Sequence, residues 1–232
     1  MKHVLVTGGS RGIGAAVVRI FVDAGYQVSF FYEKSHALAN TLSQSTGAKA
    51  VCCNVADAAS VQEAVASLPA VDILVNNAAI SHSGLISHIT EEDWSRLFRV
   101  NVDGIFHCVR AVLPAMLQKQ CGCILNVASM WGQVGASCEV GYSATKGAVI
   151  AMSKALAQEL APSGIRVNCV SPGVILTDMC ASYDEQTLQE LAEQSLVGRN
   201  GTPEDVAKAL LYLAEATFIT GENLAVNGGF VL

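Results

Sequence analysis

Three side chains in the middle of the chain have types and spacing suited to proton chemistry: Ser129, Tyr142 and Lys146. Tyr142 and Lys146 stand four residues apart in Gly141-Tyr142-Ser143-Ala144-Thr145-Lys146, a stretch that reads as helix. Residues at i and i+4 share one helix face, with Cβ atoms about 5–6 Å apart. An ammonium then lies beside a phenol, and a nearby positive charge favours phenolate. A free tyrosine ionises near pH ~10, too high for proton transfer at neutral pH. Tyr142 beside Lys146 therefore reads as a tuned general acid/base. Ser129 supplies a hydroxyl able to hold a carbonyl or alcohol oxygen. The same spacing also arises by chance, as a packed tyrosine and a solvated lysine, so the elements around it have to decide.

The first of those elements is at the start. Val4-Leu5-Val6 reads as a buried strand, followed by Thr7-Gly8-Gly9-Ser10-Arg11-Gly12-Ile13-Gly14 and then an apolar helix from Ala15. Strand, glycine-rich turn and helix N-terminus make an anion site, because glycines admit the backbone and free N–H groups point at phosphate. The spacing is Gly8-x-x-x-Gly12-x-Gly14 rather than Gly-x-Gly-x-x-Gly. The second strand, 27–32, ends Tyr32-Glu33-Lys34. A carboxylate at that end selects NAD through the ribose 2′-hydroxyl. Here Tyr32 takes its place, Glu33 comes one residue late, and Lys34 and Arg11 could neutralise a 2′-phosphate, so the lean is to NADP(H) over NAD(H). A solvated loop is the competing account of Glu33 and Lys34.

Further strands are expected at 48–53, 71–75, 123–129, 165–170 and 221–227, with helices between them. Asp57 reads as an N-cap for a helix over 58–68. Asn54 reads either as a contact to an adenine edge or as a turn residue. Asn76-Asn77-Ala78-Ala79 leaves the fourth strand, where small and amide side chains suit the ligand crevice of an open α/β sheet. Residues 91–117 read as one long helix whose Asn101 and Gly104 predict a kink or a tethered water. Residues 174–200 lack one clean pattern, and their polar helix over 184–194 suits a lid. The apolar tail Gly228-Gly229-Phe230-Val231-Leu232 suggests burial against a partner subunit.

The alternation of strand and helix without a linker fits one α/β domain over 1–232, a doubly wound parallel sheet with helices on both faces. The motifs at 8–14, 32–34, 54–57, 76–79, 129 and 171–173 all fall at strand carboxyl ends, so one crevice collects them. Hydrophobic content of 51% and a mean hydropathy of +0.40 match strands buried on both faces. No apolar run approaches the ~18 residues of a membrane span, and the start is too short for a secretory signal, so a cytoplasmic address and no membrane partner are expected. A net charge of −6 argues against nucleic acid, which wants a basic stripe. The eight cysteines show no paired Cys-x-x-Cys spacing, so they read as buried reduced thiols with no metal. Cys138, close to Tyr142, stands apart from the rest.

Together these motifs resemble the short-chain dehydrogenase/reductase family over essentially the whole chain: the 7–14 loop, Asn76 to Ala79, Asn101, Ser129, Tyr142-x-x-x-Lys146, Ser171-Pro172-Gly173, Ile219 to Glu222 and Asn227-Gly228-Gly229. The resemblance implies a Rossmann-like fold, with 1–120 mainly on the cofactor side and 121–232 mainly on the catalytic and substrate side. It implies a tetrad. Tyr142 would protonate the substrate carbonyl, and Lys146 would lower its pKa and hold the nicotinamide ribose. Ser129 would orient the carbonyl, and Asn101 would anchor a water. Gly8, Ser10, Arg11, Gly12, Ile13, Gly14, Lys34, Asn54, Val55, Asn77, Ala78, Pro172, Gly173 and Thr177 would join Tyr142 and Lys146 around the dinucleotide. A homotetramer, or a homodimer, is implied as well.

Within the family the chain is similar to the 3-oxoacyl-carrier-protein reductases, with two departures. Ala79 replaces a usual glycine, and Gly122-Cys123-Ile124 lacks an arginine common in relatives, which would weaken docking of an acidic carrier. The segment from Trp131 to Val140 also resembles the reductases of the 5-aminopentanone group on elongation factor P. There Met130, Trp131 and Glu139 would meet the substrate, Glu139 taking its amine, with plain loop packing the alternative for Trp131 and Glu139. A dinucleotide-sensing protein without catalysis is the rival of another class, and it has no need of Ser129, Tyr142 and Lys146 together.

Overall fold

The computed structural model describes residues 1–181 and 183–231. In chain order these form β1 (His3–Val6), α1 (Gly12–Asp23), β2 (Gln27–Tyr32), α2 (His36–Thr46), β3 (Lys49–Cys52), α3 (Ala58–Ala66), β4 (Ile73–Asn76), α4 (Glu91–Phe98), α5 (Gly104–Lys119), β5 (Gly122–Val127), α6 (Trp131–Val134), α7 (Val140–Leu160), β6 (Ile165–Pro172), α8 (Glu185–Gln194), α9 (Pro203–Glu215) and β7 (Asn223–Val226). The seven strands form one sheet in the order β3-β2-β1-β4-β5-β6-β7, and every pairing is parallel. The strand order reverses between β1 and β4, where ligands bind in such sheets.

Side chains alternate across the strands and divide the core in two. Val4, Val6, Phe30, Ile73 and Val75 face α1, α2 and α9. Leu5, Phe31 and Leu74 face α3, α5 and α7. Strands of such residues, buried on both sides, explain the high hydropathy. Helix α2 was not anticipated from sequence, because its polar His36–Thr46 run buries only Ala39 and Leu42.

The stretch expected as one helix over 91–117 is interrupted. Arg99–Asp103 winds as a π turn that carries Asn101, and π turns often mark functional positions. Gly104 follows because a Cβ there would sit 2.9 Å from Val55 Cγ2. By length and composition alone Glu91–Lys119 could cross a membrane, but it carries Arg99, Asp103 and Arg110 and is interrupted by the π turn. Its length and apolarity have another use here, since Ile105, Cys108, Val109, Val112 and Met116 pack into the core.

Asp57 caps α3 by accepting from the Ala59 N–H at 3.0 Å. The described part of the tail folds back on its own chain: Phe230 packs edge-on against Trp131, ring centroids 5.7 Å apart, and Ser195 Oγ donates to the Gly228 carbonyl at 3.0 Å. Leu232 lies outside the described residues.

Candidate active site

The site begins at the end of β1. Thr7 is buried, and its Oγ1 accepts the N–H groups of Asn77 and Ala78, both at 3.0 Å. Asn77 Nδ2 donates to the carbonyls of Thr7 and Gly8 at 3.0 and 3.1 Å. The end of β4 is thus stapled to the glycine loop, and the Asn77 side chain positions that loop. Gly8 and Gly12 have φ of +64° and +54°, a region that favours glycine. A Cβ on Gly14 would collide with the Gly8 carbonyl and Asn77 Nδ2, and one on Gly8 would sit 2.9 Å from Ala78 Cα. Arg11 precedes α1 without a side-chain cap, and the first turn of α1 holds no acidic residue. A close-approach cradle opening onto uncapped helix amides fits a dinucleotide pyrophosphate.

At the adenosine end, Lys34 is exposed, with Nζ 4.0 Å from Glu33, and Arg11 pairs with Asp178 at 3.1 Å. Asn54 turns back, its Oδ1 accepting from the Ala56 N–H at 3.0 Å, as its turn reading required. Val55 is buried, and its carbonyl bonds the His107 ring at 3.0 Å. Ser10 lies in the loop between β1 and α1, and Ile13, in the first turn of α1, packs on the core. On the far side, Pro172 accepts from Met130 N at 2.9 Å, and Gly173 passes so close to Asn227 that a Cβ would lie 2.8 Å from its Cα. Thr177 packs against Gly12.

The proton-transfer group sits beyond the end of β5. Ser129 is buried, its Oγ accepting from the Trp131 N–H at 3.2 Å. Tyr142 lies in the first turn of α7, with Ser129 near enough to favour its phenolate. Lys146 is buried, donates to the Val127 carbonyl at 2.7 Å, and lies 5.6 Å from the centre of the Tyr142 ring. Asn101 is fully buried. It clamps Ile80 from both sides at 2.9 Å and donates to Thr145 Oγ1 at 3.1 Å. Its side chain ties α7 to the loop after β4.

Two expectations reverse here. Burial raises the Tyr142 pKa to about 12; the nearby Ser129 hydroxyl opposes this and the Glu139 carboxylate adds to it. Lys146 does not bring the phenol below its ordinary value in this state, because burial lowers its own pKa to about 8. Desolvation penalises both charged forms and is the largest cause of each shift. The second reversal is Met130, which is 1% exposed and packs inside instead of lining the mouth.

Glu139 immediately precedes α7, and its Oε2 is buried without a hydrogen-bond partner among the described residues. Burial raises its pKa, against the proximity of Ser83 and His82. The loop before it is strained at Cys138, φ +62°, whose carbonyl accepts the Gly84 N–H at 2.8 Å. The missing arginine carries no weight at the mouth: Cys123 is 4% exposed near the amino end of β5, about 20 Å from Ser129 at ~3.3 Å per residue. Ala79 lies outside the positive-φ region, so the backbone there does not require glycine. Sequence reasoning missed Thr7, Thr145 and Asp178 as supporting groups. Only Thr7 had a local signal, as the residue between strand and glycine turn.

A family model described as enoyl-(acyl carrier protein) reductase matches residues 8–231. The chain belongs to the short-chain dehydrogenase/reductase family. It is 37% identical to the 3-oxoacyl-[acyl-carrier-protein] reductase FabG of Chlamydia trachomatis, over 98% of this chain and 96% of that protein. It is 36% identical to the FabG of Staphylococcus aureus, over 100% and 98%. The crystal structure of a 3-oxoacyl-[acyl-carrier protein] reductase from Brucella melitensis superposes with a TM-score of 0.94 at 32% identity, covering 100% of this chain and 92% of that one. As a family member the protein is an oxidoreductase of the ketone–alcohol couple that uses a nicotinamide dinucleotide.

Proposed function

We propose that the protein is an NADPH-dependent reductase of a 3-oxoacyl thioester borne on a carrier protein, acting in the cytoplasm. The observation that carries this reading is buried Lys146, 5.6 Å from the centre of the Tyr142 ring, with buried Ser129 just beyond the end of β5, at the carboxyl end of the sheet beside the glycine cradle. The bound dinucleotide supplies the hydride. Gly8, Gly12 and Gly14 hold its pyrophosphate, Arg11 and Lys34 meet its 2′-phosphate, and Lys146 holds the nicotinamide ribose. A phenol held at about 12 keeps its proton at neutral pH, the form a donor to a carbonyl oxygen needs. Ser129 holds that oxygen, and the Lys146 ammonium offsets the phenolate left behind.

The amine-bearing ketone on elongation factor P is the second reading, favoured by the orphaned Glu139 oxygen. A desolvated carboxylate oxygen without a donor suits a substrate ammonium. The deciding experiment follows NADPH oxidation with three substrates: a 3-oxoacyl thioester, the matching enoyl thioester, and elongation factor P carrying 5-aminopentanone. Turnover of the 3-oxoacyl thioester alone supports the first reading, and turnover of the modified factor alone supports the second. In the second case Glu139→Gln should raise KM about 10–100-fold, the range of a charge-assisted hydrogen bond. Turnover of only the enoyl thioester overturns both.

A further inference from the structure

The two cations expected to meet the 2′-phosphate are both matched with carboxylates, Lys34 loosely with Glu33 at 4.0 Å and Arg11 with Asp178 at 3.1 Å. The Arg11–Asp178 contact joins positions 167 residues apart. It fastens the turn Asp178–Cys180, which follows β6, to the glycine loop. The neighbouring Thr177 methyl packs on Gly12, 3.3 Å from the point a Cβ there would occupy. A short strap from the substrate side is thereby fastened across the cofactor side by one exposed ion pair, side chains 59% and 63% accessible. Exposed pairs are weak and screened by salt, so a dianionic phosphate, which offers Arg11 a bidentate partner, outcompetes a single carboxylate.

Resting on the NADP(H) reading above, we propose that Asp178 is a cofactor-specificity residue. It occupies Arg11 until the 2′-phosphate of NADP(H) takes that guanidinium, and the exchange unfastens the Thr177–Cys180 strap. NAD(H) has no phosphate at that position and leaves the clasp closed. Asp178 therefore sets how strongly the protein favours one dinucleotide over the other, and it links cofactor identity to the element that leads into α8.

The test is NADPH and NADH affinity by fluorescence titration in wild type, Asp178→Asn and Asp178→Glu, with hydrogen exchange on both wild-type complexes. Asp178→Asn should tighten NADPH about two- to fivefold, the range of an exposed charge pair, and leave NADH unchanged. Asp178→Glu, which keeps the charge, should match wild type. The Cys180 and Ala181 amides, which donate to Thr177 and Asp178 carbonyls at 2.9 and 3.2 Å, should exchange faster with NADPH than with NADH. An unchanged NADPH-to-NADH ratio in Asp178→Asn, or equal exchange in the two complexes, overturns the clasp. A wild type that prefers NADH, with the ratio still moving in Asp178→Asn, refutes the NADPH reading and leaves the clasp standing.

Discussion

Desolvation holds the Tyr142 phenol above its ordinary value, and the same effect acts on Lys146 in the opposite direction. Tyr142→Phe removes the phenolic hydroxyl and keeps the ring, and should lower turnover ~10²–10⁴-fold while NADPH titration is unchanged; full activity would sink the proton-donor role. The Lys146 shift also makes a stability statement. Its ordinary pKa of 10.5 falls to about 8 on folding, so between these values the unfolded chain holds more protons. Stability from this group therefore rises with pH over that interval, and its penalty is complete below pH 8. Urea midpoints of wild type should gain on those of Lys146→Met from pH 8 to 10, and parallel profiles would show that the ammonium is not desolvated. Tyr142, shifted upward, acts oppositely: its contribution is whole below pH 10 and is lost towards 12.

At the scale of elements, the junction of β1, the glycine loop and α1 is held by close backbone approach and the Thr7–Asn77 staple. Gly14→Ala forces its methyl into the Gly8 carbonyl and Asn77 Nδ2, both fixed by neighbours. Overpacking of this kind costs about 1–3 kcal/mol. The expected result is a lowered urea midpoint together with weakened dinucleotide binding, and a variant with wild-type values for both would show that the loop yields. The π turn between α4 and α5 is the second such junction. It buries Asn101 against Ile80 and Thr145, so the loop after β4 and the second turn of α7 keep a fixed separation.

For the whole molecule, α5 leaves Phe106 49% and Leu117 37% exposed, with Arg110 lying 5.5 Å over the Phe106 ring. We propose that this face joins copies of the chain in a homotetramer. Sedimentation at micromolar concentration should show assembly, and Phe106→Glu should reduce it; a wild-type monomer would reject the proposal. The sequence by itself determined the alternation of buried strands and helices, the glycine loop and the Tyr142–Lys146 pair. These are set by residue types a few positions apart, and periodicity and spacing travel with the chain. Helix α2 escaped because a polar surface helix leaves little apolar pattern. Tertiary structure alone decided that Met130 is interior, that position 123 is far from the mouth, that Asp178 meets Arg11, and that Tyr142 is raised rather than lowered. Each of these depends on distances between segments remote in sequence, and on how much water the fold removes from a group, and neither quantity is encoded in local spacing.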